Sequence, residues 1–227
     1  MEYEAGGDLA RWLEQQGPPA LELGLRWFRQ ALEALRYAHR NAVLHRDLKP
    51  HNLLLNAEGN VKVGDFGLFK RVRADDPART SAAAVHGTPH YMSPEQARAE
   101  HLDERSDIFS LGTTFFHIFS GKLPFENARP AELMRQITQA DAPRLTEAAP
   151  HLPVPIAVLI GRMMARRRAE RYQDVGVILE DLASYESRGL LRSSESGAFM
   201  PVPAVREGES TAADVTQAYA PAAPSDG

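Results

Sequence analysis

The sequence contains no cysteine, no hydrophobic run long enough to cross a membrane and no excess of positive charge. Without cysteine, disulfide bonds and thiolate metal sites are excluded, while the redox compartment is left open with a slight preference for the cytosol. The longest strongly apolar stretch, Val154 to Met164, is about half the length of a membrane-spanning helix. The acidic N-terminus is unlike a secretory signal. We therefore expect a cytoplasmic protein with no membrane span.

The net charge of −4 gives no whole-chain attraction to nucleic acid or to an anionic membrane. The chain also lacks a glycine-rich phosphate loop, because Gly6 and Gly7 form only a short turn. This absence argues against a nucleotide-binding fold of another kind, which would need such a loop. The 227 residues, 43% of them hydrophobic, are enough for one domain and a tail.

Most of the chain has the apolar period of α-helices. Leu21 to Arg40 is a long amphipathic helix that ends near Asn41, which is expected to be left-handed. Ser106 to Ser120 is apolar on nearly every side, which predicts a helix buried at the centre of the domain and closed by Gly121. Three further helices are predicted at Ala131 to Thr138, Ile156 to Arg166 and Asp174 to Tyr185.

Between the long helix and the central helix, short apolar runs predict small strands at Val43-Leu44, Leu53 to Leu55 and Val61 to Val63. At the C-terminus, the composition shifts to serine, glutamate, glycine, alanine and proline, so residues 191–227 are predicted to be disordered. The expected fold class is therefore mainly α with small β elements, followed by a disordered tail.

One short polar loop carries the residues with the clearest chemistry. It contains Asp47, Lys49 and Asn52, and Asp65 follows downstream. Phosphoryl transfer requires positioning and charge neutralisation more than covalent chemistry. Asp47 is suited to accept a hydroxyl proton, and Lys49 to place positive charge near a γ-phosphate. Asn52 and Asp65 are oxygen ligands suited to Mg²⁺.

Three motifs in order carry a resemblance to a known family. They are H-R-D-L-x-x-x-N at His45 to Asn52, D-F-G at Asp65 to Gly67, and A-P-E with serine for alanine at Ser93 to Glu95. From Met1 to about Arg188, the chain resembles the C-terminal lobe of a eukaryotic-type protein kinase. The run Gly87 to Gln96 is most similar to bacterial Ser/Thr kinases. The resemblance implies a protein Ser/Thr kinase that uses ATP and Mg²⁺ and acts on a protein substrate.

The resemblance also implies roles for residues around the catalytic loop. Thr88 is expected to lie in the loop that receives the substrate, and Asp107 to brace the catalytic loop from the start of the central helix. Glu95 is expected to pair with Arg171. Further structural support is expected from Arg46, Phe66 and Gly67.

The first residues resemble the hinge that contacts adenine in that family, and nucleotide contacts are expected from Glu2, Glu4 and Leu54. Because Met1 aligns with the start of the hinge, no residue printed here matches the Gly-rich loop, the strand lysine or the helix glutamate of the N-terminal lobe. The expected organisation is a hinge remnant at 1–8, a kinase C-terminal lobe at 9–190 with catalytic loop 45–52 and activation segment 65–95, and the tail at 191–227.

Two candidate phosphorylation sites, Thr80 and Ser81, lie between the metal aspartate and the third motif. A phosphate there would find basic partners in Arg46 and in Lys70 or Arg71, and would order the loop. The arginine run from Arg162 to Arg171 is open to interpretation as a phosphate or nucleic-acid patch, but a solvated helix end with one buried ion pair is favoured.

Two functions are compatible with these residues. The first is an ATP-dependent protein Ser/Thr kinase, incomplete as written and weak or inactive alone. The second is a catalytically dead, kinase-like binding module. Since the surface that faces the N-terminal lobe would be exposed, a separate polypeptide or a second copy of the chain is an expected partner.

Overall fold

The computed structural model describes residues 6–66, 89–189, 191–192 and 199–200. Within this part of the chain the fold is mainly helical, as the sequence predicts. The helices are α1 (Leu9–Gln16), α2 (Leu21–Arg40), α3 (Pro94–Ala97), α4 (Glu104–Ser120), α5 (Pro130–Gln139), α6 (Leu145–Ala148), α7 (Val154–Met163) and α8 (Val175–Arg188). Short 3-10 turns occur at Pro50–Asn52, Pro89–Tyr91 and Arg168–Glu170.

Helix α4 forms the centre of the core. Asp103 caps its N-terminus by accepting a hydrogen bond from the Arg105 backbone N–H, and Gly121 ends it with φ of 69°, in the left-handed region that glycine tolerates. Between these caps nearly every residue is buried, including four phenylalanines. A helix that is apolar on all sides must be surrounded by other elements, and α4 packs against α2, α6 and α7.

Helix α2 lies across α4 through a buried stripe that includes Leu25, Phe28, Leu32 and Leu35. Its end differs from the expectation. Asn41 has φ of −98°, so the prediction of a left-handed Asn41 is wrong. The left-handed residue is the next one, Ala42, with φ of 54°, and its N–H donates to His39 C=O at 2.8 Å.

A two-stranded antiparallel sheet follows α2, formed by β1 (Leu53–Leu55) and β2 (Val61–Val63), with Leu54 opposite Lys62. The side chain of Gln30 holds this hairpin against α2, because it accepts a hydrogen bond from Val61 N–H at 2.8 Å. On the other edge, Gly6 N–H donates to Leu55 C=O at 3.0 Å. The predicted strand at Val43-Leu44 is absent from this described region, where both residues lie in an irregular loop.

Beyond α8, two very short strands, β3 (Leu191–Arg192) and β4 (Phe199–Met200), pair in an antiparallel manner. Disorder of the tail stays a prediction, since most of residues 191–227 lie outside the described residues. None of the helices in the described ranges has both the length and the hydrophobicity needed to cross a membrane.

Candidate active site

The catalytic loop is irregular, and the buried carboxylate of Asp107 holds it in place. Oδ2 of Asp107 accepts the backbone N–H of His45 at 2.8 Å, and Oδ1 accepts that of Arg46 at 2.8 Å. His39 Nε2 lies 3.0 Å from the same Oδ2. Arg46 has φ of 68°, a strained conformation that persists only where surrounding contacts impose it. Asp107, at the first turn of α4, supplies such a contact.

His45 joins the catalytic loop to the segment that carries Asp65. Its side chain is fully buried, with Nε2 2.8 Å from Gly64 C=O and Nδ1 3.3 Å from Asp47 N–H. A carbonyl partner requires a proton on Nε2, so Nδ1 is the acceptor. Burial lowers the pKa of His45, against the opposing effects of the Gly64 hydrogen bond and nearby carboxylates. The imidazole ring also contacts Phe66, at 4.8 Å between ring centroids.

Asp47, Lys49 and Asn52 are brought together on the exposed side of this loop. Lys49 Nζ donates to Asp47 Oδ2 at 3.0 Å, and Asn52 Nδ2 donates to Asp47 C=O at 2.6 Å and to Oδ2 at 3.3 Å. Asp47 remains 48% exposed despite these contacts. Within the described residues, both side-chain contacts fall on Oδ2 and none falls on Oδ1.

The two predicted metal ligands lie at the same end of the small sheet. Gly64 N–H donates to Asn52 C=O at 2.8 Å. Asp65 is the residue after Gly64, so its backbone lies close to that of Asn52. Asp65 is exposed and has φ of 51°. The described residues contain no cluster of three or more histidine, aspartate or glutamate side chains with metal-binding geometry. An amide oxygen and one carboxylate still fit Mg²⁺, which often takes one or two carboxylates and completes its shell with phosphate and water.

A buried ion pair fixes helix α3 beside the catalytic loop. Arg171 Nη1 and Nη2 donate to the two oxygens of Glu95 at 2.7 and 3.0 Å, and Ser106 Oγ donates to Oε1 at 2.7 Å. Burial opposes ionisation of Glu95, but the hydrogen bonds and charge of Arg171 outweigh it, so its pKa is lowered. Glu95 is therefore ionised at neutral pH.

Sequence reasoning missed several residues that shape this loop. Gln96 Nε2 donates to Arg46 C=O at 2.7 Å, Thr114 Oγ1 donates to Leu48 C=O at 3.3 Å, and His39 contacts Asp107. The sequence held a signal for one of them. Ser93 and Gln96 form a capping box at the start of α3, and the spacing S-x-x-Q is its signature.

Of the predicted nucleotide-contact residues, the structure describes Leu54. It is half-buried in β1, where it pairs with Asp8 in an isolated β-bridge. Six predicted positions lie outside the described residues: Glu2, Glu4, Gly67, Thr80, Ser81 and Thr88.

The helical body and its loop of Asp47, Lys49 and Asn52 are consistent with the large lobe of a protein kinase domain, and comparison with known proteins shows the family. Residues 1–181 match the family model for the protein kinase domain, and the chain belongs to the protein kinase family. Membership implies the use of ATP and Mg²⁺ and protein substrates.

The chain is similar to several bacterial serine/threonine-protein kinases. PknB of Mycobacterium leprae is 33% identical over 187 residues, which are 82% of this chain and 30% of that protein. PrkC of Bacillus subtilis is 33% identical over 173 residues, 76% of this chain and 26% of that protein. PknL of Mycobacterium tuberculosis is 36% identical over 186 residues, 81% of this chain and 46% of that protein. The chain thus spans less than half the length of these relatives.

Proposed function

We propose that this chain carries the catalytic loop of an ATP- and Mg²⁺-dependent protein kinase that phosphorylates serine or threonine. The observation that carries the proposal is the arrangement of Asp47, Lys49 and Asn52. All three lie on one loop and contact each other through Asp47. The loop is held by Asp107 on one side and by the His45 contact with Gly64 on the other. Such fixed positioning is the main catalytic requirement of phosphoryl transfer.

In the proposed reaction, a substrate hydroxyl oxygen forms a bond to the γ-phosphorus while the bond from that phosphorus to the leaving oxygen of ADP breaks. Asp47 takes the hydroxyl proton. Lys49 places its ammonium group near the transferred phosphoryl oxygens. Asn52 Oδ1 and the Asp65 carboxylate would hold Mg²⁺, which neutralises charge on the phosphates when bound.

The remaining assignments rest on the family resemblance. We propose that Glu2, Glu4 and Leu54 contribute to the nucleotide site and that Thr88 contributes to the substrate site. Thr80 and Ser81 are proposed as phosphorylation sites. Arg46 supports that proposal, because its side chain is exposed next to Asp47. We also propose that the surface around Leu54 contacts an N-terminal kinase lobe, whether in the same polypeptide, a separate one or a second copy.

Activity should depend on that lobe. The 227 residues contain no Gly-x-Gly-x-x-Gly segment to cover the phosphates of ATP. Loss of a single preorganised charge-stabilising group typically lowers the rate by about 10²–10³. We therefore expect a purified 227-residue polypeptide to transfer phosphate at least about 10²-fold more slowly than the same residues joined to an N-terminal kinase lobe.

The test compares this polypeptide with a fusion that carries the N-terminal lobe of the Mycobacterium leprae relative in front of Met1. Transfer of labelled γ-phosphate to a serine- and threonine-containing protein is measured together with ATP binding. In the fusion, Asp47→Asn should lower kcat by about 10²-fold or more and leave ATP binding unchanged, because an amide cannot accept the proton.

The matched control is Asp141→Asn, at a carboxylate that is 86% exposed; this variant should keep the full rate. A fusion that binds ATP but transfers no phosphate would contradict the proposal. So would an Asp47→Asn variant that retains the parental rate.

A further inference from the structure

A cleft of about 400 Å³ lies beside the buried pair of Glu95 and Arg171. It is formed where the C-terminal end of α3 meets the segment after α7. Four of its lining residues are arginines. The full lining is Glu95, Arg98, Glu100, Arg166, Arg167, Arg168 and Ala169.

The wall of this arginine cleft has an excess of positive charge. Of its two acidic residues, Glu95 is paired with Arg171. Glu100 lies 3.0 Å from Arg168 and 3.8 Å from Arg98, and Arg168 also lies 3.2 Å from Asp103. The ion pairs at the rim are exposed. Arg166 pairs with Asp141, which is 86% exposed, and Arg167 lies 3.6 Å from the half-exposed Glu170. Exposed pairs of this kind contribute little free energy, so an incoming dianion can replace those carboxylates.

One group in the cleft lacks an acceptor. The Nε–H of Arg166 is inaccessible to solvent and has no hydrogen-bond partner among the described residues. Asp141 Oδ1 lies 3.3 Å away, but this contact does not have hydrogen-bond geometry. Buried donors are rarely left without a partner in native proteins.

We propose that the arginine cleft binds the phosphate group of a phosphorylated serine or threonine in a polypeptide. Guanidinium groups match phosphate oxygens in two-point contacts, which makes arginine the usual residue for this recognition. The sequence alone favoured a solvated helix end with one buried ion pair for the arginine run, and Arg98 is far from that run in the chain. The fold brings Arg98 to the same cleft, which changes the interpretation.

A nucleic acid fits this surface less well. Nucleic-acid binding uses many phosphate contacts along a basic stripe, whereas the positive charge here is confined to one cleft on a chain of net charge −4. The lining residues include no aromatic side chain on which a base could stack. Glu100 would repel a phosphate adjacent to the first.

The test measures binding to the purified 227-residue chain without nucleotide, so it is independent of the proposed kinase activity. The probe is a fluorescent peptide pool with phosphothreonine or phosphoserine at one fixed position and randomised flanks, compared with the same pool unphosphorylated. We expect the phosphorylated pool to bind about tenfold more tightly or better, and Arg166→Gln or Arg167→Gln to weaken it about tenfold. Both side chains are partly exposed, so these variants should fold.

Arg135→Gln is the matched control, because Arg135 is an exposed, paired arginine on α5 outside the cleft; this variant should bind as the parent does. Equal binding of the two pools, or an equal loss in Arg135→Gln, would overturn the proposal. It would also be overturned if inorganic phosphate displaced the peptide pool at an equal concentration, which would identify a site for free phosphate. Tighter binding of a single-stranded oligonucleotide would identify a nucleic-acid site instead.

Discussion

Arg171 shows how one side chain can be buried with full charge. All five of its N–H groups have acceptors: the two oxygens of Glu95 and the backbone carbonyls of Ala165, Arg105 and Arg166. Its side chain is fully buried and that of Glu95 is 2% exposed. The pair links α3 to the segment before α8, and a buried pair of this kind is costly to break because the remaining charge has no solvent.

We expect Arg171→Met to lower the free energy of unfolding by about 3–5 kcal/mol, since it leaves Glu95 buried without a counter-charge. The double variant Glu95→Leu/Arg171→Met should lose less than Arg171→Met alone. Urea denaturation of the parent, the two single variants and the double variant checks this. Losses that simply add in the double variant would contradict the expected coupling.

At the scale of residues, the sequence indicated the candidate loop and its brace Asp107 but not the other side chains that hold the loop. The loop Asp47 to Asn52 is recognisable because its residues are consecutive. The contact of His39 with Asp107 joins positions 68 residues apart, so no local pattern reveals it. The same reason explains why Arg98 was not linked to the arginine run. Ala42 took the left-handed conformation expected of Asn41 because its N–H closes the turn onto His39.

At the scale of elements, the glycines Gly112 and Gly161 differ in whether the structure has room for a side chain. A Cβ at Gly112, in α4, would lie 2.9 Å from Met163 Cβ and 2.9 Å from Met164 Cγ. A Cβ at Gly161, in α7, would meet no atom within 4 Å. Absence of a side chain at Gly112 is therefore what lets α7 approach α4 closely.

Gly112→Ala should destabilise the protein by about 1–3 kcal/mol, because it overpacks the contact between the two helices. Gly161→Ala should instead stabilise it by about 0.5–1 kcal/mol, since alanine is the better helix former and no atom obstructs it. Thermal denaturation of both variants gives the comparison. A stabilised Gly112→Ala variant would show that α7 can shift without cost.

The long elements were predictable because each carries a continuous apolar pattern. The predicted central helix from Ser106 to Ser120 is confirmed as α4, which starts two residues earlier. The strand predicted at Val43-Leu44 is wrong for a physical reason. Val43 N–H donates to Ala38 C=O at 3.0 Å, at the end of α2. Two residues further on, the backbone N–H of His45 donates to Asp107. The donors on either side of Leu44 are therefore used by other elements and are not available to a strand ladder.

At the scale of the whole molecule, three histidines in the described part of the chain make stability depend on pH. Burial lowers the pKa of His45, His90 and His117; for His117, the nearby His90 and His51 lower it further. Each of them binds a proton more readily in the unfolded chain. Stability is therefore fully present above pH 6.5, the ordinary histidine value, and decreases as the pH falls below it. The lowered pKa of Glu95 acts in the same direction at lower pH.

The urea concentration at the midpoint of denaturation should therefore decrease when the pH is lowered from about 7.5 to about 5.5. His117→Gln should reduce this fall, because it removes one of the three groups. His101→Gln, at an exposed histidine, is the control and should preserve the parental slope. A midpoint that stays constant or rises on acidification would contradict the linkage.

The position of Asp107 also determines when, during synthesis, the catalytic loop can take its shape. The amides that it binds, at His45 and Arg46, precede it by 62 and 61 residues. A ribosome delivers the catalytic loop well before the helix that gives the loop its shape. A nascent chain released before Asp107 would carry the side chains of the loop without the carboxylate that holds the backbone of His45 and Arg46.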